Sequence, residues 1–455
     1  MTSRAASLVV VLVLVFPILR QTASGQSSQP YPNAATDTGI HMKTAMAPPL
    51  VNVPFSDPDF GTRMVRVTDE NSDVPSPGAT FQASTAGKDE WSRDGRKFYV
   101  NAGGGRIFAF GFDPSTMTVL PLGGMQPGQG FLFPLRPGPT FSRVDSDLIY
   151  GTLSTTPLTL STYRFSTNTT KPLLDTTTCG TVPALVPGPG VNSDDDVNLS
   201  QGDMRVSISE GGKAFGAHMF AVVYDKKLGC RWYNTQTGQI GGQWGTAGTA
   251  STGDRFLIRH VALSRNGRYL RIANETSFYV WDLETLNVTA CLVPGGPHCD
   301  GYAVNGYNHM AGGIGYINDW NMVKRPLNDL TSLMPLVWPL TRGTWRQEKH
   351  FTWNSNNTQD TGPLCGSAFT YYSGDAIVRP YDGEIFCLRT DGIESTIWRF
   401  VHHRSDADAD VFNTEPTVSV SRDGRFMLFN SNWDNQLGTL KNGEPRADMW
   451  IVKLD

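Results

Sequence analysis

The sequence has few charged residues and no strongly basic character. Asp, Glu, Lys and Arg make up 18% of the 455 residues, and 38 basic against 42 acidic side chains give a net charge of −4 at pH 7. Proteins that bind nucleic acid concentrate Lys and Arg in a basic patch that neutralises phosphates. We therefore expect no nucleic acid partner.

Several motifs of common active sites are also missing. The chain has no GxSxG nucleophile elbow, no HExxH pair and no GxxxxGK[ST] phosphate loop. It has no CxxC pair, although cysteine zinc sites usually contain such close pairs. The six cysteines are therefore better explained as disulfides, with other connectivities open beside the pairing we favour, which is Cys291 with Cys299, Cys365 with Cys387 and Cys179 with Cys230.

Long apolar runs are missing except at the N-terminus. There, Arg4 precedes an apolar run over residues 5–19, and small residues follow at 23–25. This order is typical of a secretory signal peptide, and the run is too short to span a bilayer. We therefore expect a protein secreted to the extracellular space or the periplasm, where disulfides persist, with no transmembrane segment in the mature chain.

Glycine and proline are spread along the whole chain. The 47 Gly and 29 Pro are not concentrated in one linker, which favours many short strands joined by many turns. We therefore expect one folded domain, and we also expect a monomer. The predicted organisation is a signal peptide over residues 1–25, a disordered leader over 26–50 and a single domain over 51–455.

One pattern recurs along the chain: a short strand, a tight turn and a second strand. Its clearest copies are WSRDGRKFYVN from Trp91, LSRNGRYLRIAN from Leu263 and VSRDGRFMLFNSN from Val420. Asp-Gly and Asn-Gly supply the positive φ angles of tight hairpin turns. Looser copies are SISEGGKAFGAH from Ser207 and TFSRVDSDLIYG from Thr140. With the looser copies and weaker units included, successive hairpin turns lie about 45 to 65 residues apart, a period that matches four strands for each blade of a propeller.

These units predict an all-β fold, a seven-bladed β-propeller, with six or eight blades as alternatives. The last unit has only three strands of its own. The segment Gly61 to Asp69 reads as a strand that has no blade. We predict that it pairs with the last blade and closes the ring, which leaves no long open edge.

The repeats carry a family resemblance. The SRDGR turns and the outgoing strands YVWDLETLN from Tyr279 resemble the WD-repeat and TolB-like propeller superfamily over nearly all of the mature chain, and the chain is similar to secreted bacterial propeller proteins. The resemblance implies a fold and an exported protein. Polysaccharide lyases of the oligogalacturonate type are similar in architecture, as exported propellers that hold a metal with histidines of separate blades. No motif here transfers a ligand from them.

The two faces of the predicted ring differ. The turns at residues 94–95, 266–267 and 423–424 share one face, which we call the turn face, and the connections between blades emerge on the opposite, loop face. Propeller function tends to collect on loops held by the rigid scaffold. We therefore expect an inert turn face, and a binding module that engages an extracellular glycan or protein through its loop face.

Histidines suggest an alternative function. Imidazoles that converge from different blades are able to hold a divalent metal or act as a base near neutral pH. The alternative function is a metal-assisted polysaccharide lyase or hydrolase. The competing interpretation is that each histidine is hydrogen-bonded separately and that they form no common site. The candidate catalytic residues are His309, His350 and His402, with His218 and His260 as further metal ligands.

Two other groups of residues are candidates for ligands. Alternating carboxylates suit calcium, although neither segment has the Gly and Glu of an EF-hand loop, and a solvated acidic loop is the competing interpretation. Aromatic rings beside amides suit a sugar or protein surface, against the alternative that the rings fill the space between blades. The calcium candidates are Asp194, Asp196, Asp406, Asp408 and Asp410; the binding candidates are Trp345, Trp353, Trp433, Tyr307, Asn308 and Asn432.

Overall fold

A computed structural model describes most of the chain after the predicted signal peptide, which lies outside the described residues. These are residues 30–73, 78–83, 88–103, 105–126, 128–136, 138–179, 192–193, 197–212, 218–274, 277–291, 303–313, 322–337, 348–353, 357–369, 379–407 and 412–455. Their strands form seven antiparallel sheets, which are the seven blades of a β-propeller. The predicted all-β fold is confirmed.

The strands follow one another blade by blade. The chain begins with β1 (Phe55–Ser56) and β2 (Arg63–Arg66). Blade one contains β3 (Phe81–Gln82), β4 (Lys97–Ala102), β5 (Arg106–Asp113), β6 (Thr118–Leu120) and β7 (Phe131–Leu132). Blade two contains β8 (Thr140–Phe141), β9 (Leu148–Leu153), β10 (Thr156–Arg164) and β11 (Thr169–Asp175). Blade three contains β12 (Asn192–Ser193), β13 (Asn198–Leu199), β14 (Arg205–Gly212), β15 (Phe220–Asp225), β16 (Gly229–Asn234), β17 (Gln239–Gly242) and β18 (Gly248–Thr249).

The second half of the ring is more regular. Blade four contains β19 (His260–Leu263), β20 (Tyr269–Ala273), β21 (Phe278–Asp282) and β22 (Val288–Ala290). Blade five contains β23 (Val304–Asn305), β24 (His309–Gly313), β25 (Met322–Pro326) and β26 (Met334–Pro335). Blade six contains β27 (Glu348–Thr352), β28 (Leu364–Phe369), β29 (Glu384–Leu388) and β30 (Ile397–His402). Blade seven contains β31 (Val418–Val420), β32 (Phe426–Ser431) and β33 (Asp448–Lys453). Short 3-10 turns occur at Thr176–Thr178, Gln201–Asp203 and Phe412–Thr414.

The N-terminal strand closes the ring as predicted. β2 pairs antiparallel with β33, with Met64 opposite Val452 and Arg66 opposite Trp450, and β1 continues the sheet outward. Blade seven is thus built from both ends of the chain. Closure of this kind pairs the strand edge that the last blade would otherwise expose.

The repeated motif forms the turn between the first two strands of a blade. In blade one, Gly95 has a φ of +67° and its N–H donates to the carbonyl of Ser92 at 3.0 Å. The Ser92 hydroxyl donates to Asp94 and accepts from the Lys97 N–H. Blades four and seven repeat this pattern, because Gly supplies the positive φ and the Ser and Asp or Asn side chains satisfy the turn.

The hydrophobic core lies between neighbouring blades. One cluster joins Trp398 and Phe400 of blade six to Val418, Phe429 and Trp450 of blade seven. Another joins blade seven to blade one. Each sheet therefore buries both of its faces against its neighbours, and the strands are apolar in long runs instead of alternating.

Two of the predicted disulfides are confirmed. Cys179 is bonded to Cys230, and Cys365 is bonded to Cys387 across the paired strands β28 and β29. Cys291 is disulfide-bonded as well, and its predicted partner Cys299 lies outside the described residues. Disulfides are typical of exported proteins. No helix in the described part of the chain is long and apolar enough to cross a membrane.

Part of the predicted leader lies against the ring. Within residues 30–50, the buried Tyr31 packs edge-on against Trp398 and Phe400, and Ala35 forms a β-bridge with Arg399. Asp37 forms an ion pair with the same arginine at 3.1 Å. Residues 30–50 therefore run along the outer edges of blades six and seven.

We predict that a buried ion pair stabilises the ring closure. Arg66 on β2 contacts Asp448 at the start of β33, with Nη2 and Oδ2 2.5 Å apart, and Arg446 contacts the other carboxylate oxygen at 2.7 Å. Asp448→Asn leaves two largely buried guanidiniums without this charge and should lower the free energy of unfolding by about 3 kcal/mol. Urea denaturation followed by tryptophan fluorescence measures the change.

The matched control is Asp282→Asn. Its partner Arg268 is half-exposed, so solvent screens the pair and the control should shift the denaturation midpoint far less. Equal shifts in the two variants would contradict a special role for the closure pair.

Candidate functional site

The five candidate histidines lie on four blades. His218 precedes β15, His260 begins β19, His309 begins β24, and His350 and His402 belong to β27 and β30. Among the described residues, one group of three potential metal ligands has all its ligand atoms within 4.8 Å, and His402 is its only member from this set. The structure therefore does not bring the five imidazoles together into one site.

Each of three candidate histidines has a separate polar partner. His218 Nδ1 lies 3.1 Å from the Ser209 hydroxyl, and His309 Nδ1 lies 2.9 Å from a carboxylate oxygen of Asp360. The buried His350 lies 2.9 Å from Glu415 through Nε2. Burial of a polar ring requires such a partner, so these contacts explain the histidines locally.

His402 belongs to a group with Asp57 and Asp59 at the outer edge of blades six and seven. Its Nδ1 lies 3.1 Å from Asp59, and its Nε2 lies 3.0 Å from the carbonyl of His41. Arg404 Nη2 lies 3.5 Å from Asp59 and 3.8 Å from Asp57. Two carboxylates and an imidazole suit a divalent metal. Here, however, Asp59 accepts hydrogen bonds from Thr44, Asp57 accepts the N–H groups of Asp59 and Phe60, and the Arg404 guanidinium supplies positive charge beside them. The group therefore does not fit a metal ion.

The aromatic candidates that the structure describes are mostly buried. Trp353 is 1% exposed and its Nε1 donates to the Gly362 carbonyl; Trp433 is fully buried and stacks on Trp450 at 4.0 Å. Asn432 is also fully buried, bonded to Asp406 and Asn435. These side chains fill the interior, as the competing interpretation anticipated. Trp345 lies outside the described residues.

Tyr307 and Asn308 lie on the turn face, and not on the loop face. They belong to the turn between β23 and β24, whose N–H groups donate to the Asp360 carboxylate. The amide of Asn266, in the corresponding turn of blade four, donates to Asn308 at 2.8 Å. His309 follows in the same turn. The sequence placed Tyr307 and Asn308 on the wrong face because this blade lacks the repeat's turn serine followed by Arg and Asp-Gly or Asn-Gly: its Asn305-Gly306 precedes the turn residues. The carboxylate of Asp360 of blade six accepts the N–H groups of the turn instead.

The calcium candidates are mostly outside the described residues. Asp194, Asp196, Asp408 and Asp410 fall there, and so calcium at these positions stays a prediction. Asp406 is described: its backbone N–H donates to Asn432, and its carboxylate accepts from Asn435 at 2.6 Å.

A cluster of arginines occupies the axis of the ring at the turn face. Arg143, Arg265 and Arg422 come from the turns of blades two, four and seven, and each contacts the carboxylate of Asp89 in blade one. Only the axis of a closed ring is adjacent to four separate blades at once. All four residues are largely buried, so the cluster lies in the mouth of the central channel.

Further hydrogen bonds hold the arginines in place. Arg143 Nε donates to the Leu199 carbonyl of blade three, and Arg265 Nη2 donates to the Trp353 carbonyl after β27. Arg422 Nη2 donates to Phe141 of blade two. Burial lowers the pKa of Arg265 from its usual value while Asp89 opposes this shift. The guanidiniums are therefore fixed by several blades before any ligand arrives.

The mouth of the channel is open to solvent. A cavity of about 330 Å³ is lined by Arg93, Arg143, Gln201, Arg422 and Asp423, which belong to blades one, two, three and seven. Its arginines share one position in the repeat, directly after the turn serine. The sequence analysis missed these arginines, although the repeat contains a signal for them. Arg precedes the Asp-Gly or Asn-Gly in three copies, and Arg143 occupies the same position in SRVDSD.

A second cavity adjoins the first. It has a volume of about 390 Å³ and shares Arg422 and Asp423 with the channel mouth. Its remaining lining includes Tyr31, Asn357 and Arg425. The turn face, expected to be inert, thus has two adjoining open cavities, which we call the groove.

Comparison with known proteins shows the fold. No protein-family model and no curated protein matches the chain. Among solved structures it is similar to oligogalacturonate lyase from Vibrio parahaemolyticus, with a TM-score of 0.55 and 12% identity over 90% of this chain and 98% of that one. It is similar to an oligogalacturonate lyase in complex with manganese, with a TM-score of 0.54 and 13% identity over 91% and 99% of the two chains. TolB from Acinetobacter baumannii has 13% identity and a TM-score of 0.33 over 61% of this chain and 57% of its own.

We predict that His402 makes stability depend on pH. Burial lowers its pKa to about 4, whereas an unfolded chain has the usual value near 6.5. The unfolded state therefore binds the proton first, and stability should fall by up to about 3 kcal/mol as the pH drops from 6.5 to 4. Thermal denaturation across this range should be less pH-dependent in His402→Gln. At pH 8 His402 is neutral in both states, so the difference in stability between the two proteins there measures the loss of packing alone. If the stabilities of the wild-type protein and His402→Gln depend on pH in the same way, the prediction is wrong.

Proposed function

We propose that this protein is an extracellular binding module that holds a glycan or a protein segment on the turn face of its ring. The observation that supports this is the groove formed by the two adjoining cavities. Their volumes, about 330 and 390 Å³, fall within the roughly 300 to 1,000 Å³ of typical ligand pockets. The proposal moves the ligand from the loop face to the turn face.

The lining of the groove suits a polar, extended ligand. The channel mouth offers guanidiniums, and the second cavity adds the Asn357 and Arg425 side chains and the edge of Tyr31, whose hydroxyl donates to the Gly424 carbonyl at 3.1 Å. Amides and guanidiniums donate hydrogen bonds to sugar hydroxyls and to peptide carbonyls. Residues of several blades form the groove, so the rigid ring holds it in one shape.

The alternative is a metal-assisted polysaccharide lyase. Two of the solved neighbours are oligogalacturonate lyases, one of them in complex with manganese, but at these identities the likeness concerns the fold alone. The described group of Asp57, Asp59 and His402 does not fit a metal, and none of its residues lines the groove. Elemental analysis and a screen of uronic-acid polysaccharides for unsaturated, ultraviolet-absorbing products test this alternative.

We predict that filling the groove weakens binding. Arg425 lines the second cavity and is about half-exposed, so Arg425→Trp should obstruct the groove with little effect on folding. A glycan array and a peptide array identify ligands of the wild-type protein, and calorimetry then measures each hit. The steric block and the loss of the Arg425 donors should weaken the affinity at least about tenfold.

The matched control is Arg96→Trp. Arg96 is the last residue of the same SRDGR motif in blade one, is exposed, and does not line either cavity. Equal binding by the two variants would place the ligand elsewhere on the ring, and an array without any hit would contradict the proposal. Chromatography of the ligand after incubation separates binding from cleavage.

A further inference from the structure

We infer that the channel mouth on the turn face is a seat for an oxyanion, namely a carboxylate, sulfate or phosphate group of the ligand, held by Arg93, Arg143 and Arg422. The inference rests on the proposed function and specifies the chemistry of its ligand. It depends on three observations: the convergence of guanidiniums, the supply of acceptors around them, and the open cavity that they line.

The guanidiniums outnumber the carboxylates that the structure describes at this mouth. Arg143, Arg265 and Arg422 all lie within hydrogen-bond or ion-pair distance of the single carboxylate of Asp89. A carboxylate has about four lone-pair sites, whereas each guanidinium has about five N–H donors. Three backbone carbonyls accept further N–H groups but carry no charge, namely those of Leu199, Trp353 and Phe141. Asp89 therefore neutralises only part of the positive charge of the three guanidiniums.

Two other carboxylates lie near the mouth. Asp423 lines the cavity and accepts the Ser421 hydroxyl and the Arg425 N–H through one of its carboxylate oxygens. Asp203 accepts the Arg143 backbone N–H at 2.7 Å and the Ser142 hydroxyl; burial raises its pKa and Arg422 opposes that shift. Together with Asp89, they make three carboxylates that face the four guanidiniums of Arg93, Arg143, Arg265 and Arg422. An anion in the cavity would add acceptors where the positive charge is concentrated.

The position of Arg93 indicates a binding site instead of a closed structural plug. Its side chain is exposed, lines the cavity, and donates to the Val144 carbonyl at 3.0 Å. Arg143 and Arg422 also line this cavity, whereas Arg265 and Asp89 are buried and do not line it. A planar guanidinium binds an oxyanion through two parallel N–H···O hydrogen bonds. Because the ring already holds these arginines in place, little of the binding free energy is lost in ordering their side chains.

Calorimetry with inorganic phosphate and with citrate tests the seat. The wild-type protein should bind both saturably at fixed ionic strength and more weakly as NaCl is raised. Arg93→Gln should reduce the affinity about tenfold, since a charge-assisted hydrogen bond is lost. Arg422→Gln should reduce it further. Arg96→Gln removes an exposed arginine from the same turn outside the cavity and should leave the affinity unchanged.

The source of the anion is resolved by two further arms. Heparin and polygalacturonate present sulfate and carboxylate groups on a chain, and dextran is the neutral control. If the wild-type protein binds the anionic chains tightly and Arg93→Gln binds them more weakly, the source of the anion is a glycan. If the protein binds only phosphate and citrate, the source is a free small anion. If wild-type protein binds none of these anions, or if Arg93→Gln and Arg96→Gln bind equally, the inference is overturned.

The outcomes also separate this inference from the proposed function. Suppose that a neutral glycan or a peptide binds the wild-type protein and Arg93→Gln equally, but does not bind Arg425→Trp. This result would support the binding module and overturn the oxyanion seat. Saturable phosphate binding that requires Arg93, with no glycan or peptide bound, would support the seat and contradict the proposed function. Arg93 is exposed, so we expect Arg93→Gln to fold even if Arg422→Gln does not. The test therefore does not depend on the Arg422 variant.

Discussion

Pairing of β2 with β33 closes the ring, and this closure determines which residues meet at its axis. The last blade takes one strand from residues near the start of the domain, and the ion pair between Arg66 and Asp448 lies buried at this junction. Once the sheets are closed, the first turn of every blade faces the same axis. Residues far apart in the chain, such as Asp89 and Arg265, then come within 3.3 Å.

The charged clusters at the outer edge and at the axis differ in the sign of their charge. At the outer edge, Asp57 and Asp59 lie near the guanidinium of Arg404; burial raises the pKa of Asp57, and Asp59 accepts hydrogen bonds from Thr44, which ties the N-terminal segment to blades six and seven. At the axis, three guanidiniums share the carboxylate of Asp89. Buried charges are stable only when they are paired, so the axial cluster beside its open cavity favours binding of a negative charge.

The repeat serves two purposes with one motif. In SRDGR, the Ser, Asp and Gly build the turn, as the hydroxyl and N–H contacts of Ser92 and Gly95 show. The Arg between them has no part in the backbone geometry. Its side chain is left to reach the axis, so a motif needed for folding also places one positive charge on each of several blades.

The sequence by itself predicted the propeller, because turn chemistry and strand pairing within a blade depend on residues close together in the chain. The closing strand followed from the missing fourth strand of the last blade, and two disulfides of the favoured pairing are present. The sequence did not determine the site. Whether His309 meets His350, or Arg143 meets Asp89, depends on the blade to which each residue belongs and on its height along the axis, and spacing in the chain contains neither quantity. Tertiary structure decided both: it separated the histidines, buried Trp353 and Trp433 in the interior, and gathered the arginines of the repeat around one carboxylate at the turn face.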